Sequence, residues 1–83
     1  MGKTYETLRD EREALLDAVE ETEAAMMDAW HRAMDLAGTA AGGSAAAEHA
    51  RCTAHYAAAI EALDAWIESP DGVLFFELDV YRG

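Results

Sequence analysis

Apolar residues recur every three to four positions from Tyr5 to about Ala37, which is the spacing of one helix face. No Gly or Pro interrupts this segment. At about 100° per residue, one set of positions falls within about 60° and forms a core stripe: Leu8, Leu15, Val19, Thr22, Met26, Ala33 and Ala37. Thr4 is suited to cap the start and Gly38 to follow the end. The pattern predicts a long amphipathic helix over about 5–37.

A second helix is predicted from about Ala45 to Glu68, between a Gly-Gly-Ser break and a Ser-Pro-Asp-Gly turn signature. It carries two rows at helical spacing, rotated by roughly 80° from each other. The first row is His49, Tyr56, Ile60, Leu63 and Ile67, and the second is Glu48, Cys52, His55, Ala59, Ala62 and Trp66. Two rows imply two helical neighbours, whereas the chain supplies only one.

The C-terminal segment, residues 72–81, alternates in the manner of a β-strand. One side would carry Leu74, Phe76, Leu78 and Val80, and the other Val73, Phe75, Glu77, Asp79 and Tyr81. A lone apolar strand must lie on the helices, pair with another copy, or pair with the sheet edge of a partner.

The fold class predicted from these elements is all-α: a two-helix antiparallel hairpin with a short β-like tail, forming one domain over residues 1–83. A chain of 83 residues buries little core as a monomer, so a dimeric four-helix bundle is expected. Side chains expected to contact the second copy or a partner are Leu16, Met27, Met34, Ala59, Trp66, Leu74, Phe76 and Leu78. The first three form a shoulder about 90° from the core stripe.

The charge balance restricts the possible partners. Six basic and 17 acidic side chains give a net charge of −11. This excludes direct nucleic-acid binding through phosphate neutralisation. A single cysteine, Cys52, excludes an internal disulfide framework, and the first residues lack the apolar stretch of a secretory leader. No apolar run is long enough to span a membrane. We therefore expect a cytoplasmic protein without membrane contact.

The acidic face of the first helix is the main candidate for a binding site. We call six of its residues the acidic stripe: Asp10, Glu13, Asp17, Glu20, Glu21 and Asp28. From Asp10 through Glu13 and Asp17 to Glu20 or Glu21, successive carboxylates recur roughly every 5–6 Å along the axis, a spacing similar to that of phosphates along a nucleic-acid strand. Such a rod fits a lysine- and arginine-lined groove built for DNA or RNA. In size and charge the chain resembles phage-encoded inhibitors, including anti-CRISPR proteins. The alternative is a solvated face, as in the acidic proteome of a salt-adapted organism.

No catalytic motif is present, and we expect neither an enzyme nor a cofactor. A weaker alternative is a metal-binding or sensory bundle, because Glu48, Cys52 and His55 project from one helical line and their donor types suit zinc. Cys52 in an alanine-rich row is, however, typical of a small buried apolar residue. A third alternative is a structural assembly subunit whose C-terminal strand extends a neighbour's sheet. The sequence favours a non-enzymatic protein that binds and inhibits or modulates a basic, nucleic-acid-binding partner.

Overall fold

The computed structural model describes residues 2–82 and contains three helices in that range. Helix α1 spans Tyr5–Leu36, α2 spans Gly42–Glu68 and α3 spans Pro70–Arg82. No strand occurs within residues 2–82. The predicted all-α class is therefore confirmed, but the chain forms three helices and not two helices with an extended tail.

Helix α1 begins and ends where the local sequence signals place it. The Thr4 side chain accepts a hydrogen bond from the Thr7 backbone N–H at 3.2 Å, which satisfies one otherwise unpaired donor of the first turn. Gly38, two residues after Leu36, has a φ of +80°. This left-handed conformation costs glycine little and terminates the helix. The predicted cap at Thr4 and the glycine at Gly38 are confirmed.

Helix α2 starts three residues earlier than expected. Its N-cap is Ala41, which supplies no side-chain cap, and Ser44 lies inside the first turn. The Gly42 backbone N–H bonds to the Thr39 carbonyl oxygen at 3.1 Å, so the connecting turn continues directly into the helix. A Cβ on Gly42 would come within 2.8 Å of the Leu36 carbonyl oxygen, so this close connection requires glycine.

The predicted C-terminal strand is wrong, because the segment is helix α3. Ser69 ends α2 and caps α3: its Oγ accepts from the Gly72 N–H at 3.2 Å. Pro70 occupies the first helical position, where its fixed φ suits a helix and its missing N–H costs nothing. Ser-Pro-Asp-Gly therefore acts as a helix start and not as an isolated turn. The segment is apolar on nearly every side, so it also satisfies a helical period.

The helical period changes which side chains of the tail share a face. Phe75 is buried, with 6% of its surface exposed, whereas Phe76 is 50% exposed. Leu74 and Leu78 are half-buried on the same side as Phe75. The predicted alignment of Phe76 with Leu74 and Leu78 is therefore wrong, since residues spaced by two positions lie about 200° apart on a helix.

Helix α3 packs across the N-terminal end of α1 through Phe75. This ring stacks on Tyr5 at a centroid distance of 5.4 Å and lies 5.8 Å from the Trp66 ring of α2. The Arg12 guanidinium sits over its face at 5.7 Å. The Tyr5 hydroxyl donates to an Asp79 Oδ at 2.9 Å. Burial of this aromatic ring is what holds the segment as a helix against the other two.

Helices α1 and α2 pack antiparallel, and the half-buried positions of α2 include members of both predicted rows. Near its end, α2 places Trp66 Nε1 3.4 Å from Glu11 Oε2 in the second turn of α1. The half-buried positions of α2 come from both rows: His49, Tyr56, Ile60 and Leu63 from one, and Glu48, Cys52, Ala59 and Trp66 from the other. These positions span about 120° of the helix surface. The remaining members of the two rows, His55, Ala62 and Ile67, are exposed.

The resulting rod has a thin core. Only four apolar residues in the described range are buried: Leu8, Ala29, Ala45 and Phe75. The chain measures 57 × 19 × 15 Å. It exposes 5750 Å², whereas a globular chain of this mass exposes about 4,900 Å². None of the helices within residues 2–82 has an apolar segment of the length needed to cross a membrane.

Candidate interaction site

All six residues of the acidic stripe are exposed. Helix α1 positions them because its opposite face, with Leu8 at 0% exposure and Ala29 at 4%, packs against the rest of the chain. The side chains of Asp10 and Asp28 are 70% and 79% exposed. The structure thus presents the predicted stripe to solvent along about 27 Å of the 57 Å rod.

Loose ion pairs engage part of the stripe. Arg9 lies 3.6 Å from Asp10 and 3.9 Å from Glu13, and Arg32 lies 3.6 Å from Asp28. All of these side chains are exposed, so the pairs contribute little stability. The other three stripe carboxylates, Asp17, Glu20 and Glu21, have no ion-pair partner among the side chains of residues 2–81. These central carboxylates are therefore accessible to a partner.

The chain's own contacts engage all five basic side chains between residues 3 and 81. Lys3 donates to Glu11 and, at 2.9 Å, to an Asp71 Oδ. Arg51 pairs with Glu48. Arg9 and Arg32 contact the acidic stripe, and Arg12 covers the Phe75 ring. No basic residue occurs between positions 12 and 32, so the middle of α1 is purely acidic.

Helix α2 carries two further exposed carboxylates at the same level of the rod, outside the acidic stripe on α1. Glu61 and Asp64 are exposed. Because α2 runs antiparallel to α1 and Trp66 lies beside Glu11, these two residues lie beside α1 positions just after Glu11. The antiparallel pairing predicted from the sequence already implied that these two carboxylates lie level with the acidic stripe. The result is a belt of negative charge around the centre of the molecule.

The predicted contact residues separate into exposed and packed groups. Met27, Met34 and Phe76 are 47%, 60% and 50% exposed, respectively. Leu16, Ala59, Trp66, Leu74 and Leu78 are half-buried. The Trp66 ring contacts Phe75 and the Glu11 carboxylate, so the chain itself uses much of its surface.

Five further apolar side chains, including Ile67 of α2 at 37%, are exposed that the sequence analysis did not assign to the contact surface. Trp30 is 42% exposed on α1, beside the methionines. Val73, Val80 and Tyr81 of α3 are 51%, 76% and 89% exposed. Val73, Phe76 and Val80 fall within about 60° of one another and form one face at helical spacing, which the strand interpretation divided between two sides, whereas Tyr81 lies about 80° from Val73. Reading residues 70–82 with a helical period would have revealed this face.

The structure does not assemble the proposed metal ligands. The Cys52 Sγ lies 3.8 Å from a Glu48 Oε, and both residues are half-buried. His55 is exposed. Among the described residues, no group of three His, Cys, Asp or Glu side chains is arranged to hold a metal ion. The Glu48 carboxylate instead pairs with Arg51, whose hydrogen bond and charge lower the pKa of that carboxyl below its ordinary value.

An open cavity of about 230 Å³ lies at the loop end of the helix pair. Its lining residues are Arg32, Leu36, Ala41, Ser44, Ala45 and Glu48. The Arg32 side chain is 58% exposed and is already close to Asp28. Its polar side chains are those of Arg32, Ser44 and Glu48, of which Glu48 is paired with Arg51.

No protein family matches this chain, and comparisons with curated proteins and with solved structures gave no match. The function proposed below is therefore inferred from the surface of the chain.

Proposed function

We propose that this protein is a non-enzymatic interaction protein that docks the acidic stripe of α1 on a basic, nucleic-acid-binding surface of another macromolecule and blocks or modulates it. One observation carries the proposal: the chain's own contacts engage every basic side chain of residues 3–81, while the central stripe carboxylates are exposed and unpaired. A helix of 32 residues, about 48 Å long, holds the stripe carboxylates from Asp10 to Asp28 in a row of about 27 Å.

The length and charge of the rod support a mimic of a nucleic-acid strand. Negative charge on a preformed helix attracts a basic groove at long range and costs little conformational entropy on docking. The overall charge of −11 would repel nucleic acid itself, so the partner is a protein. In this proposal the phage-inhibitor type, including anti-CRISPR proteins, remains the functional class that the size and charge resemble.

We also propose that the working form is a homodimer. The rod exposes about 850 Å² more than a globular chain of equal mass. A standard protein interface buries about 800 Å² per partner. Four buried apolar residues make a thin core for a monomer, and a second copy would cover the exposed apolar side chains.

A charge-matched pair of variants tests the docking proposal. The first variant neutralises four stripe residues that lie within about 40° of one another on α1: Asp10→Asn, Asp17→Asn, Glu21→Gln and Asp28→Asn. The control makes the same change in net charge elsewhere, with Glu61→Gln, Asp64→Asn, Glu68→Gln and Glu77→Gln. Each immobilised protein is exposed to host lysate, washed at rising salt and challenged with duplex DNA.

The proposal predicts that wild type and the control variant retain a set of host proteins, which duplex DNA displaces. The stripe variant should not retain these proteins. Loss of the stripe should weaken the purified interaction by about 10²-fold, mainly through slower association, and should flatten its salt dependence. Equal retention by the two variants would show that the stripe is only a solvated surface.

A further inference from the structure

One flank of α1 carries opposite charges on either side of Leu16. At about 100° per residue, five positions of this flank fall within about 80°: Arg9, Arg12, Leu16, Glu20 and Glu23. The two arginines precede Leu16 and the two glutamates follow it. Asp10, Asp17, Glu21 and Asp28 of the acidic stripe lie at least about 60° farther round the helix, so this flank shares only Glu20 with the stripe.

Among the side chains of residues 2–81, the charges on this flank form no ion pair shorter than 3.6 Å. Arg12 is half-buried over the Phe75 ring and has no carboxylate partner among the side chains of residues 2–81. Glu20 and Glu23 are exposed and likewise have no ion pair there. Arg9 has only the two loose contacts at 3.6 and 3.9 Å, with 47% of its side chain exposed.

The apolar side chains of the same flank lie toward the loop end. Met27, Trp30 and Met34 continue the spacing of three and four residues beyond Glu23 and are 42–60% exposed. They lie 100–160° round α1 from Glu11, at about 100° per residue, and so on the opposite side of the pair from the Glu11–Trp66 contact.

The other helices provide a matching apolar surface at the opposite end. Ile67, at the end of α2, is 37% exposed and lies about 100° round that helix from Trp66. Because α1 and α2 are antiparallel, this rotation places Ile67 on the same side of the α1–α2 pair as Met27 and Trp30. Helix α3 packs on the same end of α1 through Tyr5 and presents Phe76, 50% exposed, to solvent.

We infer that α1 pairs with α1 of a second copy, antiparallel about a two-fold axis at Leu16, so that Arg9 and Arg12 of each copy face Glu23 and Glu20 of the other. This inference rests on the proposed dimer and names its interface. In such a pairing, contacting residue numbers sum to about 32. An antiparallel two-fold satisfies both charge clusters at once, whereas a parallel pairing sets like charges together.

The same two-fold brings the apolar ends together. Met27 of one copy lies level with position 5 of the partner's α1, and Met34 lies beyond it. This is the end at which α3 exposes Phe76 and α2 exposes Ile67. The interface then has charged pairs near its centre and apolar contacts toward both ends. The line Asp10, Asp17, Glu21 and Asp28 stays outside the interface, so the dimer presents two acidic rows.

Charge reversal tests the pairing on the full-length chain. Arg9→Glu with Arg12→Glu, and separately Glu20→Arg with Glu23→Arg, place like charges opposite each other in a homodimer. Each double variant should dimerise at least about tenfold more weakly than wild type. An equimolar mixture of the two restores every opposite-charge contact and should form a 1:1 heterodimer. The measurement is sedimentation velocity over micromolar concentrations, with circular dichroism to verify helix content.

The matched control reverses the same number of charges on the outer row, through Asp17→Arg with Glu21→Arg, and should dimerise as well as wild type. Orientation is tested in a Cys52→Ala background, by mixing Arg12→Cys chains with Glu20→Cys chains. The antiparallel two-fold predicts a heterodimeric disulfide, which a parallel pairing would not favour.

The outcomes separate the inference from the proposals beneath it. A monomeric wild type would overturn the dimer and, with it, the pairing about Leu16. A wild-type dimer that both charge-reversal variants retain would overturn the pairing but not the dimer. Neither result concerns the acidic stripe, which has its own lysate assay.

Discussion

Gly72 of α3 lies directly against the last turn of α2, so that a Cβ at this position would stand 2.1 Å from the Trp66 carbonyl oxygen. The Ile67 carbonyl oxygen would be only 2.5 Å away. Both neighbours are backbone atoms of a helix and cannot rotate aside. The sharp junction between α2 and α3 therefore depends on a residue without a side chain.

Gly72→Ala should lower the free energy of unfolding by about 1–3 kcal/mol, the usual cost of overpacking. We expect α3 to shift and to expose Phe75, which should raise the susceptibility of the C-terminal segment to proteolysis. Gly43→Ala is the matched control, since a Cβ there meets no atom within 4 Å. That variant should be more stable by about 0.5–1 kcal/mol. Urea unfolding at a fixed chain concentration measures both, and equal effects would contradict the close packing at Gly72.

Ser69→Ala should destabilise the protein by about 1 kcal/mol through loss of the α3 cap. The Ser69 Oγ both accepts from the Gly72 N–H and donates to the Trp66 carbonyl oxygen at 2.5 Å. Ser44→Ala provides the comparison, because Ser44 lies inside α2 and is not its cap. Its effect should stay within about 0.5 kcal/mol. Thermal unfolding of the two variants would contradict the cap assignment if Ser44→Ala proved the more damaging.

The contribution of Lys3 to stability should disappear at high pH. Hydrogen bonds to Glu11 and then Asp71 raise the pKa of Lys3 from 10.5 to about 12. The folded state therefore holds this proton more tightly than the unfolded chain does. Its stabilising effect is fully present below pH 10.5 and is lost as the pH rises toward 12.

The test compares wild type with Lys3→Met in urea at several pH values. The difference in unfolding free energy should stay constant up to about pH 10 and then shrink toward zero. A difference that does not change with pH would show that the amino group of Lys3 stabilises nothing in the folded state.

Cys52 should behave as a packed apolar residue. It is half-buried on the face of α2 that packs against α1, and its Sγ contacts only the Glu48 carboxylate among polar groups in the described range. Cys52→Ala should cost about 1 kcal/mol, as modest core truncations do. A thiol reagent should react more slowly with the native protein than in denaturant. Equally fast labelling in both conditions would place the thiol on the surface.

Local signals made the two long helices predictable. Thr4 supplies a cap, Gly38 a left-handed residue, and 32 positions without an interior Gly or Pro favour α1. The acidic stripe followed from the same period, because residues that avoid the core side of an amphipathic helix must face solvent. The start of α2 was less predictable, since Ala41 begins the helix without a capping side chain and only the turn geometry at Gly42 places it.

The C-terminal segment shows what one chain's pattern leaves open. Residues 72–81 alternate well enough for a strand and are apolar enough for a helix, so the period alone could not decide between them. Ser69 and Pro70 carry a helix-start signal, but the sequence Ser-Pro-Asp-Gly is also typical of a turn. The Ser69 cap and the Phe75 contacts with Tyr5, Trp66 and Arg12 are tertiary and local interactions that together favour the helix.

By itself the sequence determined the helical class, the positions of α1 and α2, and the exposure of the acidic stripe, because capping and 3.6-residue periodicity act within a few residues. Only the tertiary structure decided that α3 is a helix, that Phe75 and not Phe76 is buried, and which members of the two α2 rows are covered. Those outcomes depend on which surfaces meet across long separations in the chain. Aromatic burial at that meeting point outweighs the weak local preference of an ambiguous segment.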